Sequence, residues 1–149
     1  MGVLCRDGRG LLFYQPLPLN LIHMVVVAES DYIRLELLPD GILVAFYKKH
    51  KVVTLEMAKE IVGTRLNFVG RVPRPVLIYN LGVLQMDKPA RKYVSSGDGI
   101  AGIKAAAIIA DKLSTYIIMG FIMSVERPPM PTRIFTRRSK AVAWLTTFL

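Results

Sequence analysis

The sequence predicts an α/β fold, a mixed and mostly parallel sheet whose strands and helices follow in the order ββαβαβαβα. Three observations predict it. Short apolar runs bounded by Gly, Pro, Asn or Asp recur from Tyr32 to Phe135 and read as strands. Between them lie stretches of helical period that open on Thr54 and Asp87, side chains suited to capping. The small-residue run Lys104-Ala105-Ala106-Ala107-Ile108-Ile109-Ala110 suits an interior strand packed closely beneath a helix.

The first strand is Tyr32-Ile33-Arg34-Leu35-Glu36-Leu37, where Ile33, Leu35 and Leu37 share one face and the polar residues the other. Pro39-Asp40-Gly41 turns the chain into Ile42–Tyr47, apolar on both faces and therefore interior. Thr54 caps a helix to about Phe68, with Leu55, Ala58, Val62, Leu66 and Val69 as its buried stripe and Glu56 at the positive end of its dipole. Pro73 and Pro75 break the chain before the buried strand Val76–Tyr79. Asp87 caps a second helix that ends at Ser95-Ser96-Gly97-Asp98-Gly99, and Ile100–Ile103 adds a turn. After the alanine strand, Asp111 or Ser114 opens a helix to about Val125, with Tyr116, Met119, Phe121 and Met123 in the core. Pro128-Pro129-Met130-Pro131 is a rigid connector to the last strand, Thr132–Phe135. Ala141, Trp144, Leu145 and Phe148 recur at helical spacing, so a closing helix buries Trp144. Helix-linked parallel strands make right-handed crossovers, and the opening hairpin adds an antiparallel strand at one edge.

Residues 1–30 break from this pattern, with three glycines, two prolines and no clear period. They read as an N-terminal extension, or as a start placed too early with Met24 the true one; residues 31–149 form the domain. No stretch reads as a membrane span, because prolines, Asn20 and His23 interrupt the apolar segment 11–28 and the run 116–125 is too short. A lone cysteine, Cys5, excludes an internal disulfide and a cysteine-built zinc cage, and a reducing, cytoplasmic setting is expected.

The net charge is +9, of which +3 falls in residues 1–74 and +6 in residues 75–149. Arg127, Arg133, Arg137, Arg138 and Lys140 are relieved locally only by Glu126. This excess either solvates one face or meets an anion, whether nucleic acid, acidic lipid or acidic protein.

The element order, the Pro39-Asp40-Gly41 hairpin, the Val76–Tyr79 strand, the Arg133-Ile134-Phe135 strand and the Ala141…Trp144-Leu145 ending together resemble the STAS family, and more narrowly its SpoIIAA-like branch. That family includes bacterial anti-sigma-factor antagonists and the cytoplasmic domains of anion transporters. The resemblance covers about Tyr32 to Leu149 and implies a βα superhelix and a non-enzymatic regulatory or protein-interaction module. Its phosphorylation switches carry an Asp-Ser pair at the start of the helix after the middle strand. Here Asp87 matches and Lys88 stands in the acceptor position, which removes the switch chemistry. The docking surface that the resemblance implies is Asp87, Lys88, Arg91 and Lys92.

Catalysis is not expected. Ser95, Ser96, His50 and Asp87 are the residue types of a triad, but no Gly-x-Ser-x-Gly elbow accompanies them. The two histidines have no ligand partner at helix spacing, so neither metal nor cofactor is expected. Gly97-Asp98-Gly99-Ile100-Ala101-Gly102 could wrap a phosphate, yet it lacks the lysine of a phosphate loop and ends a helix, so a structural loop is favoured. Lys48-Lys49-His50-Lys51 reads as a solvated turn between hairpin and helix.

Overall fold

A computed structural model of the chain describes residues 2–6, 12–16, 25–80, 83–110, 112 and 127–149. In chain order these form β1 (Gly2–Arg6), β2 (Leu12–Pro16), β3 (Val26–Glu29), β4 (Ile33–Leu37), β5 (Leu43–Tyr47), β6 (His50–Val53), α1 (Leu55–Val69), β7 (Arg74–Asn80), β8 (Val83–Met86), α2 (Lys88–Val94), β9 (Ile103–Ile109), β10 (Thr132–Phe135) and α3 (Arg138–Leu145). The helix expected between Asp111 and Val125, with its four core residues, lies outside the described residues.

The fold is mixed α/β around a six-stranded sheet of order β10-β9-β7-β5-β4-β3. β5, β7, β9 and β10 run parallel, and β3 and β4 add two antiparallel strands at one edge. The sheet thus begins before Tyr32, because Val26–Glu29 pairs with β4 in register from Val26 opposite Leu37 to Glu29 opposite Arg34. β1 and β2 pair antiparallel in a separate two-stranded sheet. β6 and β8 form a small parallel sheet that carries the chain into α1 and α2. The Lys48–Lys51 stretch is therefore no simple turn. Lys48 bonds Glu29 at 2.6 Å and Ser30 O at 2.7 Å, while His50 and Lys51 belong to β6.

Local chemistry sets the ends of these elements. Gly41 sits at φ +96°, where a side chain is strained, and Asp40 Oδ1 accepts from Ile42 N at 3.1 Å to close the β4–β5 turn. Thr54 Oγ1 accepts from Met57 N, capping α1 as its sequence position predicts. Pro75 lies inside a central strand, and the sheet accommodates its missing donor with a register shift between Arg74 and Pro75. Ile100–Ile103 adds the expected turn, closed by Ile103 N donating to Ile100 O at 3.1 Å, outside the helix itself. A 3-10 turn spans Gly97–Gly99, and Ile103 already belongs to β9.

Strand alternation divides the core into two layers. One packs Ile33, Leu35, Leu43, Ala45 and Val76 against Ala58 and Ile61 of α1 and Ala90 of α2. The other packs Ile42, Val44, Leu77, Ala105 and Ala107 against Ala141 and Leu145 of α3. The alanines of β9 let α3 sit close to the sheet, and both of its buried residues are fully inaccessible. Trp144, expected inside, is only half-buried at the margin of this layer, between Phe135 (centroids 5.7 Å apart) and Phe148 (4.9 Å). The α1 stripe is rotated from its expected position, with Ala58, Ile61, Val62 and Arg65 buried and Leu55, Leu66 and Val69 partly so.

Candidate functional site

Two polar regions lie on opposite sides of the sheet. The first surrounds α2. Asp87 N donates to Val53 O at 3.1 Å, which ties the start of α2 to the strand before α1. Asp87 Oδ1 accepts from Ala90 N at 2.8 Å, so this carboxylate caps the helix. The helix is seven residues long, which places Arg91 and Lys92 in its last turn and not in its first half. Lys88 and Lys92 are exposed and four residues apart, hence on one face, while Asp87 and Arg91 are half-buried. At the other end Ser95 Oγ donates to Arg91 O and Ser96 Oγ to Lys92 O, each at 2.7 Å. His50 packs edge-on against Tyr32, with centroids 5.0 Å apart. The four residues that supply the types of a triad, Asp87, Ser95, Ser96 and His50, are thus each engaged separately.

The glycine-rich loop after α2 is held from within. Arg65, only 6% exposed, donates Nη2 to Asp98 O at 2.9 Å and to Gly99 O at 3.0 Å, and Nη1 to Ala101 O. The loop's N–H groups close its own turns, Gly99 N donating to Ser96 O, Ile100 N to Gly97 O and Ala101 N to Asp98 O, so these donors are not offered to a phosphate, which supports the structural reading of these glycines. Gly99 is required sterically, since a Cβ there would lie 2.2 Å from Tyr93 O. Outside, Arg71 pairs with Asp98 at 2.7 Å. Burial draws the Arg65 guanidinium below its ordinary pKa, and the nearby Tyr47 phenol opposes that shift. Burial pushes the Tyr47 phenol up, and the Arg65 charge pulls it back. Arg65 is the charged residue on the buried stripe of α1. Its signal was spacing, seven residues after Ala58 and four after Ile61, on the buried stripe.

The second region is the corner where β10 meets α3. Arg133, Arg137, Arg138 and Lys140 are all exposed there; Arg127, also exposed, precedes β10 and is not brought to the corner by any contact among the described residues. Arg133 lies over the Trp144 ring, 5.3 Å from its centroid. Arg138 lies 6.0 Å from the Tyr79 centroid and donates Nη1 to Tyr79 Oη at 3.2 Å, and Tyr79 itself stacks on Phe46 at 4.9 Å. Two guanidinium groups are thereby held by aromatic rings. Arg137 occupies the N-cap of α3 without a side-chain cap bond, and the first turn holds no acidic residue. Cations at the positive end of a helix dipole repel it, by about 0.3–1 kcal/mol each at a surface. An open cleft of about 380 Å³ lies here, lined by Ile134, Phe135, Thr136, Arg137 and Lys140. The structure therefore keeps the two predicted groups of site residues apart, one on α2 and one at the β10–α3 corner.

With this geometry in view, the chain compares as follows. The profile of DUF7793, described as a domain of unknown function, matches residues 36–149. The chain belongs to this family. Among solved structures it is similar to an uncharacterised protein of the DUF3478 family with a SpoIIAA-like fold from Shewanella loihica, at 14% identity and a TM-score of 0.49, over 82% of this chain and 92% of that one. No curated protein matches the sequence. Among the described residues, no helix is long and apolar enough to cross a membrane, and no group of three His, Cys, Asp or Glu residues could hold a metal ion.

Proposed function

We propose that this DUF7793 domain is a non-enzymatic interaction module of STAS-like, SpoIIAA-like type, a regulatory domain that works by being bound. One observation supports the reading above others. The side chains with catalytic chemistry already serve the backbone, Asp87 as a helix cap and Ser95 and Ser96 as C-terminal caps. The docking surface is the outer face of α2, where Lys88 and Lys92 stand exposed with Asp87 and Arg91 behind them. A lysine in the acceptor position makes charge and shape, not phosphate, the basis of docking to a protein partner.

A second reading rests on the other corner. Four exposed cations at this corner, two of them seated on rings, together with exposed Arg127 ahead of β10, favour an anion-binding surface for nucleic acid or acidic lipid. Paired charge reversals separate the two. If α2 docks the partner, Lys88→Glu with Lys92→Glu abolishes capture of the native partner from cell extract and leaves the fold intact. If the corner is the contact, Arg133→Glu with Arg137→Glu and Arg138→Glu does so instead. Raising the salt weakens the second contact steeply and the first less, since only two exposed cations, Lys88 and Lys92, stand on α2. Retention of partner binding by both variants would refute both surfaces.

A further inference from the structure

We propose that the β10–α3 corner binds single-stranded nucleic acid, phosphates on the arginines and one base in the cleft beside them. This rests on the anion-binding reading of that corner. The charge there is one-sided: residues 132–149 hold four cations, Arg133, Arg137, Arg138 and Lys140, and no acidic side chain. A chain of phosphates is the complement of such a surface, and the displaced counterions drive its binding. Arg133 and Arg138 are already held, by Trp144 and by the Tyr79 ring and hydroxyl, so they lose less freedom on binding than free side chains do.

The cleft decides among polyanions. Its walls are Ile134, Phe135 and Thr136, and Arg137 and Lys140 stand beside them. Phe135 gives the cleft one flat aromatic wall, and a ring beside cations fits an unpaired base followed by its phosphate. In a duplex the bases are stacked inside, so the cleft would stay unused. A lipid surface would want an apolar side chain to insert beside the cations. The exposed large apolar residues of the described chain are Val26, Val27, Val72 and Leu149, and none of them lines the cleft. Leu149 lies against Gly41, ahead of β5 and so at the opposite end of the parallel strands from Arg137.

The test uses the full chain with a labelled oligothymidine of about 20 nucleotides, long enough for one site. Binding is read by anisotropy and by the emission of Trp144, the only tryptophan. The proposal expects the oligomer to bind, the Trp144 emission to change, and affinity to fall with salt at a slope of about −3 for four phosphate contacts. Arg133→Glu with Arg137→Glu and Arg138→Glu weakens binding at least about tenfold, and the reversal at Lys88 and Lys92 leaves it within about twofold. Arg137→Gln with Lys140→Gln repeats the loss should the triple reversal disturb folding. A duplex of equal length binding as tightly overturns the single-strand proposal and leaves the anion-binding reading standing. So does binding confined to phosphatidylglycerol vesicles. No binding to oligomer, duplex or vesicle overturns both.

Discussion

The two faces of the sheet use their arginines in opposite ways. Beneath α1 and α2, Arg65 is buried, and its guanidinium is consumed by three backbone carbonyls of the 97–102 loop. Beside α3, Arg133 and Arg138 lie on the outer sides of aromatic rings and remain exposed. One face spends its charge on holding a loop that no apolar residue could hold. The other keeps its charge available. A cation's value as a binding group depends on what it already touches, and residue type alone does not report that.

The contrast can be broken at Arg65 first. Arg65→Ala strips three carbonyls of their donor, at about 1–3 kcal/mol for each one left unsatisfied, partly offset where water enters. A loss of about 4 kcal/mol is expected in urea unfolding. A loss under about 1 kcal/mol would show that the loop does not depend on the guanidinium. Gly99→Ala forces a Cβ onto the α2 backbone and costs about 3 kcal/mol in the same measurement. Trp144→Ala on the open face costs about 2 kcal/mol, below the 3–5 kcal/mol of a fully buried aromatic, because the ring is only half-buried. Its emission maximum should lie between those of buried and solvated indole.

Alkaline pH sharpens the contrast further. Burial raises the Tyr47 phenol above the ordinary 10.0. The folded state therefore holds this proton where the unfolded chain has begun to lose it. The stabilisation is fully present below about pH 10 and is lost as pH rises through the folded-state value. Arg65 stays charged throughout. Thermal melts from about pH 9 to 11 should fall less for Tyr47→Phe than for the wild-type chain. The smallest effect is expected on the α3 face, where single reversals at Arg133, Arg137 or Arg138 should move stability by no more than about 1 kcal/mol, loss of a ring contact at Arg133 and Arg138 set against relief of the helix dipole at Arg137 and Arg138.

Much of this architecture was legible in the sequence. The runs at β4, β5, β7, β9 and β10 announce themselves by alternation or by continuous apolar character, and Thr54 and Asp87 cap the helices as their positions imply. β3, β6 and β8 were not legible. Each is four residues long; β6 and β8 take their strand conformation from each other across a long stretch of chain, as His50 does from Val83, and β3 is a largely exposed edge strand with no alternation to mark it. Trp144 was placed inside because it shares helical spacing with Ala141 and Leu145. That spacing does not report that the stripe's edge meets Phe135 and Arg133 instead of the sheet's middle. Of the two site groups, the sequence showed the corner cations as a cluster, but not the rings beneath two of them, since Tyr79 lies 59 residues before Arg138.

The position of α3 also matters while the protein is being made. Ala141 and Leu145 cover Ile42, Val44, Leu77, Ala105 and Ala107. Those five residues leave the ribosome before α3 does, spread over three neighbouring strands. Until Leu145 emerges, the nascent sheet carries an apolar face with no cover from this helix. At about 5–20 residues per second this interval lasts seconds, long beside the microseconds in which a helix forms. Translation thus leaves this face waiting for seconds on α3, and the docking of Ala141 and Leu145 is the step that covers it.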